Sequence, residues 1–79
     1  MNLKEYLSKK GETVYSISRK DGWKELGTER HIYRWAEGIC IPNVKNMKII
    51  CHDLTDNLVD PNSFFIKAWE RMEKDNEQK

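Results

Sequence analysis

Arg30 and Arg34 stand four residues apart, the spacing that puts two side chains on one face of a helix. A guanidinium is a planar fork of donors that fits a carboxylate, a phosphate, or the O6 and N7 acceptors of guanine. The neighbouring residue types suit the same chemistry. Tyr33 turns outward if Ile32 and Trp35 turn inward, and can then meet a thymine methyl or a phosphate. Glu29 can accept from a cytosine amino group, which would make it a specificity residue. Thr28 is placed to cap a helix start and, because helix N-termini favour phosphate, to touch one. Lys24, Arg19 and Lys20 flank the segment as candidate backbone-phosphate contacts. The plainer alternative is a solvated face on which Arg30 or Arg34 pairs with Glu37, an exposed pairing of little energetic weight. Context decides between the two.

Other chemistries find little support. The order His31, Cys40, Cys51, His52 contains no C-x-x-C pair and matches no usual zinc spacing, so no metal is expected. The histidines are expected to be partly buried, and the cysteines to be free, small packing residues. There is no Ser/His/Asp or Cys/His arrangement, no glycine-rich phosphate loop and no paired-carboxylate motif. The expectation is a protein that is not an enzyme, with no cofactor and no small-molecule substrate.

The elements that must position the arginines follow from punctuation and periodicity. Asn2 with Glu5 fits a capping box, Leu3, Tyr6 and Leu7 share a face, and Gly11 ends a helix over about 3–10. Thr13 caps a second helix over about 14–20, with Val14, Ile17 and Ser18 inward and Gly22 as its stop. Residues 23–27 read as a turn containing at most one helical turn. A third helix over 29–37 buries Ile32, Trp35 and Ala36 and ends at Gly38. Pro42 and Asn43 open a fourth, with Val44, Met47, Ile50, Cys51 and Leu54 as its buried stripe, broken by Thr55-Asp56-Asn57. Asp60-Pro61 opens a fifth over about 61–74, with Phe64, Phe65, Ala68, Trp69 and Met72 along one face. The expected fold is all-α, a compact bundle of about five short helices.

Composition sets the outer limits. At 79 residues the chain is one domain, expected over 1–74, followed by a frayed tail over 75–79. Fourteen Lys and Arg against thirteen Asp and Glu leave a net charge of +1, so a basic field alone does not argue for nucleic acid. No apolar run approaches the ~20 residues that cross a bilayer, and no membrane role is expected. The polar start Met1-Asn2-Leu3-Lys4-Glu5 lacks a signal-peptide core, and the expected location is the cytoplasm.

Short helices, a central turn and a tryptophan near the end of the third helix suggest a helix-turn-helix. The ordered set is closer still: Leu3-Lys-Glu-Tyr-Leu7, Gly11, Thr13, Gly22-Trp23, Ile32-Tyr-Arg-Trp35-Ala-Glu-Gly38 and Pro42. With Asn43 to Leu54 and then Thr55-Asp-Asn-Leu-Val-Asp60-Pro61, which is similar to Thr-Gly-Gly-x-Val-Thr-Pro, it resembles phage and prophage Cro/repressor-type DNA-binding domains over residues 2–66. From Gly22 to Trp35 is thirteen positions, so the turn is expanded relative to that pattern by about four residues. The resemblance implies a transcriptional regulator that binds double-stranded operator DNA with the third helix in the major groove. It implies Thr28, Glu29, Arg30, Tyr33, Arg34, Lys24, Arg19 and Lys20 as DNA contacts. Two alternatives use the same fold: a module that binds a host protein or a repressor, and an antitoxin-like regulator. A single small module buries little surface for specificity, so a homodimer is expected. Trp69, Met72 and Phe65 on the fifth helix are its candidate contacts, the alternative being that this helix folds back onto the first.

Overall fold

The capping pattern at the start of the chain operates as its spacing indicates. In a computed structural model, which describes the backbone of residues 1–77 and the side chains of 1–74, Asn2 Oδ1 accepts from the Glu5 N–H at 2.8 Å and Glu5 Oε1 from the Asn2 N–H at 3.2 Å. They start α1, Leu3–Lys9. Thr13 and Ser16 repeat the reciprocal bond, at 3.0 and 2.9 Å, to start α2, Val14–Ser18. After a long turn come α3, Glu29–Glu37, and α4, Val44–Lys48, which runs on as a π-helical segment, Ile49–Leu54. The last element is α5, Pro61–Glu77. The fold is all-α with five helices, and no strand occurs among the described residues. No helix among them is long and apolar enough to cross a membrane.

α3 sits at the centre, packed against α1, α2 and α5. Its buried face is Ile32, Trp35 and Ala36, as the periodicity indicates. Leu3, Tyr6, Leu7, Ile17, Met47, Ile50, Cys51, Val59 and Phe64 complete the core, and Trp23 plugs it from the α2–α3 turn. That turn contains one helical turn, closed by the Lys24 N–H on the Lys20 carbonyl at 3.0 Å.

Two glycines are required where they stand. Gly22 has φ +88°, and a Cβ there would lie 2.6 Å from Leu54 Cδ2. Gly38 ends α3 at φ +77°, and a Cβ there would lie 2.7 Å from the Lys67 carbonyl oxygen of α5. The turn after the π-helical segment is made without glycine. Asp56 and Asn57 both take positive φ, at 50° and 65°, at the positions where the resembled segment carries two glycines. Buried Thr55 closes that segment. Its Oγ1 donates to the Ile50 carbonyl at 2.8 Å and accepts from the Val59 N–H at 3.4 Å. Asp60 then caps α5, its Oδ1 accepting from the Asn62 N–H at 2.9 Å ahead of Pro61.

Several expectations need correction. Val44 is 82% exposed and not part of the buried stripe. It is the first residue of α4, and helical side chains lean toward the N-terminus, so it overhangs the edge of the core. Phe65, Trp69 and Met72 are exposed, so only Phe64 of the expected α5 face is buried and Ala68 partly so. Cys40 is exposed while Cys51 is buried. Both histidines are exposed. α5 continues to Glu77, beyond the expected end at 74, because Glu73 to Glu77 contains neither Gly nor Pro to stop it. Of the expected tail, Gln78 and Lys79 lie outside the described residues.

Candidate nucleic-acid interface

With Ile32, Trp35 and Ala36 turned inward, the other face of α3 projects Glu29, Arg30 and Tyr33 into solvent and leaves Arg34 half-buried. Glu37 does not hold the arginines. Its carboxylate pairs with Lys4 of α1 at 3.0 Å. Among the described residues neither Arg30 nor Arg34 forms a salt bridge, so both guanidinium forks keep their donors for an external partner.

The start of α3 is built differently from the starts of α1 and α2. Thr28 holds the extended N-cap conformation, φ −85° and ψ 172°. The return contact comes from an imidazole: His31 Nδ1 accepts from the Thr28 N–H at 3.3 Å and lies 3.0 Å from Thr28 Oγ1. Gly27 leaves room for that ring, since a Cβ there would lie 3.1 Å from His31 Cβ, Cγ and Nδ1. The ring also tilts over Trp35, with centroids 6.3 Å apart. His31 therefore positions the first turn of the arginine-bearing helix.

The basic residues at the α2–α3 joint are tied to acids within the chain. Lys20 pairs with Glu12, whose other oxygen accepts from Ser16 Oγ. The hydrogen bonds from Lys20 and then Ser16 hold the Glu12 carboxyl below its ordinary pKa. Lys24 pairs with Asp21 at 3.0 Å. That hydrogen bond, then the charges of Asp21 and Glu25, push the Lys24 ammonium pKa up. Glu25 itself is used by the turn, accepting from the Gly22 N–H at 2.7 Å. Arg19 donates to Tyr15 Oη at 2.8 Å, with its guanidinium 5.4 Å from that ring's centroid.

The eight candidate contacts thus divide. Thr28, Glu29, Arg30, Tyr33 and Arg34 lie together on α3 and its cap. Arg19, Lys20 and Lys24 lie at the joint, each already engaged within the chain. Two residues join the site that sequence reasoning passed over. Tyr15 is exposed on α2, and its signal was the four-residue spacing to Arg19. His31 caps α3, and its signal was the three-residue spacing from Thr28. No group of three or more His, Cys, Asp or Glu suited to a metal occurs among the described residues. The Cys51 thiol is pushed up in pKa by burial, and secondarily by the Asp60 charge, which keeps it protonated and inert. Phe65, Trp69 and Met72 are exposed on α5, which packs against α3.

Comparison with protein-family models, with curated proteins and with solved structures returns no match. The functional reading rests on the chain's own residues.

Proposed function

We propose that this chain is a helix-turn-helix transcriptional regulator of Cro/repressor type that binds operator DNA. In this reading α2 and α3 are the two helices of the motif. α3 enters the major groove and α2 lies across the phosphate backbone. The observation that carries it is the outer face of α3, where, among the described residues, Arg30 and Arg34 have no carboxylate partner and stand beside outward Glu29 and Tyr33. Arginine reads guanine edges, the tyrosine meets a thymine methyl or a phosphate, and Glu29 accepts from cytosine. Arg19, Lys20 and Lys24 exchange their internal partners for phosphates. A homodimer associating through α5 presents two copies of α3 to the half-sites of a two-fold operator.

A second reading is supported by a specific observation. Lys20 and Lys24 are neutralised by Glu12 and Asp21, which lowers the positive potential that non-specific DNA affinity requires. A module of the same fold that binds a protein would keep those pairs. Selection from a pool of random duplex DNA at low salt separates the readings. A DNA regulator enriches a defined sequence motif whose binding weakens steeply with salt. A protein-binding module enriches none.

A further inference from the structure

We propose that the exposed stripe of α5 and the groove at that helix's N-terminal end form one self-complementary face, whose occupant is a second copy of this chain. The inference rests on the homodimer reading above and specifies its geometry. Met47, Val59 and Pro61 line a groove of about 730 Å³, with Val44 and Leu58 on its walls. Val44 is 82% and Leu58 47% exposed, although both are apolar. Pro61 is also the first residue of α5. From it, Phe65, Trp69 and Met72 follow at steps of four, four and three, along one side of the helix. Their exposures are 53%, 66% and 65%. The groove and the stripe are therefore one continuous apolar surface that turns from α4 onto α5.

Area argues for a partner of this size. Aromatic side chains carry about 150–250 Å² each and aliphatic ones somewhat less, so the exposed fractions amount to roughly 600 Å². That is the upper end for a free monomer, about 300–600 Å², and most of the ~800 Å² that each partner contributes to a standard interface.

Shape argues that the partner is another copy. A two-fold interface needs a patch in which one part fits another part of the same patch. Pro61 and Met72 are eleven residues apart, about 16 Å along the helix. When two α5 helices pack antiparallel, the end of each stripe lies over the start of the other. Phe65 meets the other copy's tryptophan twice over, and each Met72 enters the other copy's groove. Methionine is unbranched and fills irregular apolar space. Charge agrees. Glu73, which accepts from Trp69 Nε1 at 2.6 Å through one oxygen, follows Met72 and is carried to a rim bearing exposed Lys48. The acid on that rim, Asp60, is already used to cap α5.

The test uses the full chain without DNA. Exposed Cys40 and groove-lining Cys51 are first replaced, as Cys40→Ser and Cys51→Ala, in a background whose helix content is checked against wild type. Val44→Cys and Met72→Cys are then made in separate copies, one of them tagged. Both positions are exposed, so neither change disturbs the core. Treated with a short bismaleimide, a mixture of the two variants is expected to give the tagged–untagged cross-linked dimer well above the yield of either variant alone. Sedimentation is expected to show a dimer for wild type, with association weakened about tenfold or more by Trp69→Ala. A monomer at every concentration overturns the proposal. So does a dimer that cross-links as well through Met72→Cys alone as in the mixture, which would mean parallel helices. Because no DNA is present, a monomer that still shifts operator DNA refutes this interface and leaves the DNA-binding reading standing.

Discussion

The carbonyl oxygen of Lys67 occupies the space in which a side chain at Gly38 would begin, 2.7 Å from the position of its Cβ. The end of α3 is thereby pressed onto the backbone of α5, and it reaches that contact with φ +77°. Gly38→Ala is expected to cost more than about 2 kcal/mol. The left-handed conformation alone costs an L-residue about 1–2 kcal/mol, and α5 must also move away. Urea unfolding measures it. A midpoint equal to wild type would contradict the contact.

Two tryptophans separate core from surface. Trp35 is 7% exposed on the inner face of α3, and Trp69 is exposed on α5. Trp35→Ala is expected to unfold the chain, since truncating a buried Trp costs about 3–5 kcal/mol, comparable to the whole stability of so small a core. Trp69→Ala is expected to leave the monomer's helix content and unfolding midpoint unchanged when measured below the dimer concentration range. Circular dichroism on both variants checks this, and a cooperatively folded Trp35→Ala would show that the inner face of α3 is misassigned.

The turn after the π-helical segment gives paired expectations of opposite sign. Thr55→Val preserves shape but takes a hydrogen bond from the Ile50 carbonyl and the Val59 N–H, while the Cys51 carbonyl keeps the Asn57 N–H at 2.7 Å, a loss of about 1–3 kcal/mol. Asn57→Gly relieves a positive φ of 65° and is expected to stabilise by up to about 1 kcal/mol. Thermal unfolding of the two variants reads both. Equal stability of Thr55→Val and wild type would remove Thr55 from its structural role.

Glu12 gives a pH expectation with a definite sign. Lys20 and Ser16 hold its carboxyl below the ordinary pKa. A group depressed on folding contributes stability that is present above its unfolded-state value and is lost as pH falls through the folded value. The pair lies at the surface, so its energy is small, and the titration midpoint is the quantity to read. Side-chain NMR is expected to place it below the ordinary carboxylate value, and Lys20→Met to raise it. A midpoint indifferent to Lys20→Met contradicts the pairing. On the proposed function, Lys20 reaches its phosphate in wild type only by leaving Glu12, so Glu12→Gln is expected to raise DNA affinity with the salt slope unchanged.

Much of the fold was legible because local signals act locally. Asn2 with Glu5, Thr13, Gly38 and Asp60-Pro61 marked helix ends through bonds made within a few residues, and Ile32, Trp35 and Ala36 marked the inner face of α3 by period alone. What was not legible depended on distant partners. Periodicity put Val44 in a stripe, but the core ends one turn later. It put Phe64, Phe65, Trp69 and Met72 on one face, yet α5 meets the bundle along Phe64, Lys67 and Ala68, and Phe65, Trp69 and Met72 lie beside that line in solvent. At the candidate site, residue types showed which side chains suit DNA. They did not show that Glu37 would pair with Lys4, or that Lys20 and Lys24 would be held by acids on either side of α2.

The most direct measurement takes a duplex enriched by wild type and compares its affinity for wild type and for Arg30→Ala/Arg34→Ala by fluorescence anisotropy across a salt series. Wild type is expected to bind with log affinity falling linearly in log salt, at about −0.9 per phosphate contact. The double variant is expected to keep its helix content and lose about 1–3 kcal/mol for each arginine. Equal affinities for the two proteins, or no binding by wild type at low salt, would contradict DNA recognition by α3.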